Sequence, residues 1–293
     1  MCNLKRVILI VGVFIAALCL CVLGMGCYYY FTDPELIVTQ YTVEVDLDKP
    51  LRIVHLTDLH SNVFDTGNDV LVQMVAVQEP DLILMTGDMM DKSDENADVV
   101  CDLIRQLTPI APVYIGYGNH EYDWMKAHSE SLTPVLTEAG ATVLDVEYLD
   151  ITVKDQTLRL GGLMGYYRQP GMFPVSQEQR ALELAFAEDF EDTDSYKILL
   201  NHIPTAWLDW EYIDKYPVDL VLTGHYHGGQ IRLPLVGGLY APYVGLFPEY
   251  TEGMLKGEQA TCILSTGLGS SPGIPRINNP PQIVVVDLIP EKV

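Results

Sequence analysis

Basic side chains are scarce in this chain: 17 Lys and Arg stand against 40 Asp and Glu, a formal net charge of -23 over 293 residues. The excess acid is spread without a long single-sign block, so the clustered cations that hold a polyanion are missing, which argues against nucleic acid as a partner. Cysteine is sparse where it could staple a fold, because Cys2, Cys19, Cys21 and Cys27 all lie in the amino-terminal segment and only Cys101 and Cys262 remain. No C-x-x-C spacing occurs, which argues against a thiolate zinc site. Cys101 falls in a helical apolar pattern and Cys262 in a strand pattern, where each reads as an ordinary buried cysteine. Spacing leaves their pairing open. There is no low-complexity tract, and 48% hydrophobic residues suffice for one large α/β domain.

The long uncharged apolar run is at the amino terminus. Residues 7–26 are almost wholly apolar and long enough to cross a bilayer of about 30 Å at about 1.5 Å per residue. Lys5 and Arg6 precede this run, and Tyr28, Tyr29, Tyr30 and Phe31 follow it, as an inside-positive flank and an interfacial aromatic belt. This predicts a single-pass anchor in the cell membrane with everything after Tyr30 extracytoplasmic. A cleaved signal sequence is the alternative, since Gly24-Met25-Gly26 offers small residues after an apolar core. The expected division is an anchor over 1–31, a linker and leading strand over 32–50, and a catalytic domain over 51–293.

The domain is organised around Asp81-Leu82-Ile83-Leu84-Met85-Thr86-Gly87-Asp88. An unbroken apolar run between Pro80 and Gly87 reads as a strand buried on both faces, and it delivers Asp88 to its carboxyl end, where open α/β sheets bind ligands. The plan recurs. Strand-like runs lead into Asp58-Leu59-His60, into Gly118-Asn119-His120-Glu121, into Asn201-His202 and into Gly224-His225-Tyr226-His227, so five of the seven histidines fall at strand ends. Carboxylate, amide and imidazole groups converging in this way suit a pair of hard to borderline divalent ions. Helical spacing in Val70, Leu71, Met74 and Val75, and again in Val99, Val100, Leu103, Ile104 and Leu107, predicts the helices of βαβ units.

Residues 141–162 alternate as a hairpin or meander turning into a second sheet, and residues 177–189 read as a surface helix. The Gly-, Pro- and Tyr-rich stretch 234–257 has no period and reads as a long loop. Its Leu239, Tyr240, Tyr243, Leu246 and Phe247 could form an apolar wall beside the site or pack over the second sheet. His55, inside a strand, reads as a hydrogen-bonded core histidine, and His128 as a surface residue. Trp207 and Trp210 read as helix packing. Glu121 reads as a residue that holds its loop.

Taken in order, D-x-H at Asp58 and His60, G-D-x-x-D from Gly87 to Asp91, G-N-H-E, the later Asn-His and G-H-x-H closely resemble the calcineurin-like metallophosphoesterase superfamily. The resemblance covers the chain from about Leu51 onward. It implies an α/β fold, a four-layer α/β/β/α sandwich of two mixed sheets. It further implies that Asp58, His60 and His227 bind one divalent ion and Asn119, His202 and His225 a second, of the Mn, Fe or Zn kind, with Asp88 bridging them. His120 would be a proton donor beyond the ligands, oriented by Asp91. Gly228-Gly229-Gln230 resembles the membrane-anchored bacterial subgroup, and Tyr226 stands where many relatives carry a smaller residue.

The chemistry expected is hydrolysis of a phosphoric ester. Two ions about 3.5–4 Å apart bring a bridging water's pKa toward about 7 and clamp phosphate oxygens. A phosphodiester or pyrophosphate substrate, lipid-linked or of a cell-wall intermediate, is expected. A general phosphomonoesterase and a non-catalytic phosphate-binding relative are the alternatives.

Overall fold

A computed structural model describes residues 2–31, 35–165, 176–270 and 275–291. The chain opens with helix α1 (Cys2–Phe31), whose described side chains are all exposed. Several side chains of residues 7–26 (18, 22, 25 and 26), with Lys5 and residues 28–31, lie outside the described set. Among the described residues no helix is long and apolar enough to cross a membrane.

Two six-stranded sheets follow. The first takes β1 (Ile37–Val45), β2 (Leu51–Leu56), β3 (Leu82–Met85), β4 (Val113–Gly116) and β5 (Thr142–Leu144). Between them run α2 (Asp69–Val77), α3 (Asp98–Leu107), α4 (Asn119–His128) and α5 (Thr133–Ala139). The second takes β6 (Glu147–Val153), β7 (Gln156–Gly162), β8 (Tyr196–Leu200) and β9 (Leu220–Thr223), with α6 (Gln177–Glu191) and the short α7 (Thr205–Leu208) as connections. Four two-residue strands come next: β10 (Arg232–Leu233), β11 (Gly237–Gly238), β12 (Tyr240–Ala241) and β13 (Gly245–Leu246). β14 (Gly253–Lys256) and β15 (Thr261–Leu264) complete the second sheet, and β16 (Gln282–Pro290) returns to the first.

The strand orders are β1-β16-β2-β3-β4-β5 and β14-β15-β9-β8-β7-β6. Each sheet carries four consecutive parallel strands, β2 to β5 in one and β15, β9, β8 and β7 in the other; β16 is antiparallel to β2 and parallel to β1, and β14 and β6 are antiparallel edges of the second sheet, so both are mixed. Parallel strands need both faces covered, and their apolar runs meet that need. Ile53, Leu82, Leu84, Leu160, Ile198, Leu200, Leu222 and Val286 form a core between the sheets. A second core lies under α2 to α5 and a third under α6 and α7, which makes four layers.

Two local expectations are corrected. Residues 142–144 do not begin the second sheet: β5 pairs in parallel with β4, and the chain changes sheets only at Asp145 and Val146. Alternation cannot distinguish an edge strand of one sheet from the first strand of the next. The stretch 234–257 is likewise not structureless. It holds β11, which pairs back onto β10, and the β12-β13 ribbon, and ends in β14, pairings too short to show a period. Cys101 and Cys262 are buried and unbridged. His55 is buried with Nε2 2.8 Å from Thr86 Oγ1, and His128 stacks on Trp124 at the exposed end of α4.

Candidate metal centre

The strand-end side chains meet because the backbone turns sharply where each parallel strand stops. Asp58, His60, Asp88, His225 and His227 all have φ between 46° and 69°. That left-handed region costs a non-glycine residue about 1–3 kcal/mol and persists only where surrounding contacts impose it. Two close approaches impose it. A Cβ on Gly87, itself at φ 98°, would stand 2.1 Å from Gly118 N, and one on Gly224 would stand 2.2 Å from Asp58 Oδ2. Only hydrogen fits at either place, so the loops of both sheets press directly on each other.

Three buried groups of side chains result: Asp58, His60 and His227; Asp88, His202 and His225; and His60, Asp91 and His120, each with its ligand atoms within 4.8 Å of one another. Asp88 stands between them. Its Oδ1 accepts the His120 backbone N–H at 2.8 Å, while Oδ2 lies 3.0 Å from His202 Nε2, 3.9 Å from His60 Nε2 and 4.0 Å from His120 Nε2. One oxygen is thus committed to the backbone and the other faces all three groups. Asp58 accepts the His225 N–H on both oxygens and lies 3.5 Å from His227 Nε2. Asn119 opens α4 with its Oδ1 buried and without a hydrogen-bond partner.

Asp91 stands between two imidazoles, with Oδ2 3.6 Å from His60 Nδ1 and 3.2 Å from His120 Nδ1, and Ser93 holds its other oxygen. The His120 Nδ1 also accepts the Lys92 N–H at 3.1 Å, which leaves the ring proton on Nε2. Asp91 Oδ2 lies near both rings but has no hydrogen-bond partner, so the hydrogen bond that orients His120 comes from the backbone of Lys92 and not from the expected Asp91.

Electrostatics fit cation binding. Burial, with the His202 charge second, pushes His225 down to about 3, and burial pushes His227 down to about 4, so both are the neutral bases that ligate metals at neutral pH. Burial also works to lower His202, but the Asp88 and Asp58 carboxylates outweigh it and hold that imidazole up at about 9. Its Nδ1 donates to Thr86 O at 3.0 Å, so the proton that the carboxylates favour sits on Nε2, the atom a cation would take. Burial acts to raise Asp88, yet His202, His60 and His120 hold it well below the usual carboxylate range. His60 Nδ1 and Nε2, His225 Nε2, His227 Nδ1 and Asn119 Oδ1 are buried without hydrogen-bond partners. Buried polar atoms rarely stay unpaired, and such a set of nitrogen and oxygen donors fits one or more divalent ions.

Sequence reasoning undervalued Glu121. Its carboxylate accepts four backbone N–H groups, from Asp88, Met89, Met90 and Gly118 at 2.8–3.2 Å, and so ties the Asp88 loop to the start of α4. The G-N-H-E motif contained the signal; its reach into the other loop did not show in one dimension. Tyr243, whose ring stacks on His225 at 5.3 Å and 14°, carried no motif signal. Trp207 is fully buried and donates to Asn201 Oδ1 at 2.6 Å, and Tyr226 is buried with its hydroxyl on Thr205 and Asp209.

Comparison with known proteins agrees with this chemistry. Phosphodiesterase YaeI of Escherichia coli (strain K12) is 28% identical over 91% of this chain and 93% of its own length. The metallophosphoesterase YkuE of Bacillus subtilis (strain 168) is 30% identical over 90% of each chain. Among solved structures, the 5'-nucleotidase precursor from Thermus thermophilus is 15% identical with a TM-score of 0.46, covering 74% of this chain, which spans about half (49%) of that one. The calcineurin-like phosphoesterase family profile matches residues 51–229, the span from β2 through the last histidine pair. The chain accordingly belongs to the calcineurin-like phosphoesterase family and is a metal-dependent phosphoesterase.

Proposed function

We propose that the protein is a two-metal phosphodiesterase, held at the outer face of the cell membrane by residues 1–31, that cleaves a phosphodiester or pyrophosphate of a lipid-linked compound. The observation that carries the two-metal part is Asp88 Oδ2, one acidic oxygen facing the imidazoles of separate ligand groups. In this reading Asp58, His60 and His227 hold one ion, Asn119, His202 and His225 hold the other, and Asp88 serves both. Bound divalent ions supply Lewis acidity toward a phosphoryl oxygen and activate water at neutral pH. The chain's own residues do the rest.

His202 is oriented by Thr86 O, and the Asp88 loop is held by Glu121, so the ligands keep their geometry through turnover. His120, with its Nε2 proton directed toward Asp88 Oδ2, is the group that meets the oxygen leaving phosphorus. The diester preference is supported by the name of the Escherichia coli relative. Anchoring is supported by α1, where Val7, Ile8, Leu9, Ile10, Phe14 and Leu23 are all exposed.

Metal analysis of the full chain together with a substrate panel tests this. Two divalent ions per chain and faster cleavage of bis-nitrophenyl phosphate than of nitrophenyl phosphate are expected; one ion or fewer under replete conditions, with no turnover of either ester, overturns it. His120→Ala is expected to keep both ions and to lose about 10²–10⁴-fold in rate on esters with poor leaving groups, and less on nitrophenyl esters.

A further inference from the structure

We propose that the β10 to β13 ribbons dock the domain onto the lipid bilayer that holds α1, so that the metal centre faces the membrane. The proposal rests on the anchoring reading above and adds an orientation to it. Three features occupy one end of the sandwich. The metal-ligand loops leave the carboxyl ends of β2, β3, β4, β8 and β9. The chain coming from α1 enters at the same end: Ile37 pairs with Gln282, and since Val284 pairs with His55 in the antiparallel register, Ile37 stands level with Thr57, one residue before Asp58. Residues 32–36 reach at most about 20 Å, so α1 ends close to this face. The ribbons also leave from this end, after β9, and Tyr243 between β12 and β13 stacks on His225.

The ribbons carry apolar side chains that the domain does not cover. Leu235 is 108% exposed, Leu246 67%, Val236 59% and Phe247 57%. Leu235, Tyr243 and Phe247 have φ of 67°, 64° and 56°, a backbone that bulky side chains seldom adopt, so the outward presentation is imposed at a cost. Arg232 beside them is paired with Glu252, and the chain's net charge of -23 repels anionic headgroups, so attraction to a basic patch is not the means of docking. Insertion of apolar side chains into the headgroup boundary is. The opposite end of the sandwich carries ion pairs, Lys49–Asp155 and Lys154–Asp81, and does not suit a bilayer. A site held against the membrane takes its phosphoester from the lipid surface, which narrows the substrate class to amphiphiles whose phosphate lies at headgroup depth.

The test uses the full chain in vesicles of zwitterionic lipid, with bromine atoms placed on the upper acyl chain as quenchers, and three variants: Leu246→Trp, Phe247→Trp and Val77→Trp. Val77 is exposed at the end of α2, beside Gln78, whose carbonyl binds Arg52 at the far end. After subtraction of the wild-type signal, at least twofold quenching of the new tryptophan in Leu246→Trp or Phe247→Trp, with none in Val77→Trp, supports docking. If the chain floats with the vesicles but Val77→Trp is quenched as strongly, or no variant is quenched, docking is overturned and anchoring stands. Concentration-dependent blue-shifted emission without quenching would show that a second copy covers the face and overturns the proposal. Failure of the wild type to float after alkaline washing overturns anchoring, and docking with it.

Discussion

At the amino-terminal ends of the parallel strands, Arg52 donates to Asp287 at 2.7 Å, Lys154 to Asp81 at 2.6 Å, and Lys197 lies 3.2 Å from Asp219. At the carboxyl ends of the same strands, His60, His225, His227 and Asn119 keep buried donor and acceptor atoms unpaired, and five of the proposed ligands sit in left-handed backbone. The amino-terminal end is held by ion pairs between protein groups, with the buried Tyr196 hydroxyl at the start of β8 left without a hydrogen-bond partner. The other has the composition of a coordination sphere, with two well-ionised carboxylates among imidazoles of which His225 and His227 are neutral bases, and its chemistry calls for cations. The difference shows where this fold stores strain: stability comes from the three apolar cores, and the site end draws on it to hold geometry that no isolated loop would adopt.

The sharpest break in that contrast is Asp88→Asn. An amide keeps the shape and removes the charge that faces all three groups, so metal content is expected to fall below two per chain. The phosphoesterase rate is expected to fall on the order of 10³-fold, about 4 kcal/mol of barrier. Full metal content with an unchanged rate would show that Asp88 does not serve both ions.

Glu121→Gln comes next. It removes the negative charge from an acceptor of four backbone N–H groups while leaving every proposed ligand in place. Charge-assisted hydrogen bonds of this kind are worth roughly 1.5–3 kcal/mol each in favourable cases. A lower melting temperature and about 10–100-fold weaker metal binding are expected, measured by thermal unfolding and metal titration. A loss of melting temperature with unchanged metal affinity would make Glu121 a stabiliser only.

Asp287→Asn should have the smallest effect and should spare the site. The hydrogen bond from Arg52 holds the Asp287 carboxyl below its usual range, so its folded pKa is depressed relative to the unfolded chain. Its contribution is therefore present above the unfolded carboxylate pKa of about 4 and lost as pH falls through the folded value. The pair is partly exposed, so about 1 kcal/mol or less is expected, read as a melting-temperature difference at pH 7 that shrinks under acid, with turnover unchanged. A loss of turnover equal to that of Glu121→Gln would dissolve the distinction between the ends.

Much of the site was legible before folding because strand ends punctuate the chain locally. An apolar run that stops at glycine and resumes as Asp, Asn or His announces itself within ten residues, as at Asp88, Asn119 and His225. The helices α2 and α3 were equally legible, since their periodicity is a short-range property. Sequence places Tyr243 beside the site only as one of two alternatives for its stretch, and what escaped were particular contacts between distant stretches, its stacking on His225 and the four N–H groups on Glu121.

The order of residues along the chain specifies which of them could ligate, which segments must be buried on both faces, and that one amino-terminal run is almost wholly apolar. Tertiary structure alone decided which carboxylate oxygen is open to cations, because the His120 N–H occupies Asp88 Oδ1 and leaves Oδ2. It alone decided that β5 belongs to the first sheet and that Ile37 enters beside the site, since register and strand direction arise from pairing between distant segments. The physical reason is the range of the forces involved: burial and backbone preference are written residue by residue, whereas hydrogen-bond partners and crowding at Gly87 and Gly224 exist only once two loops occupy the same space.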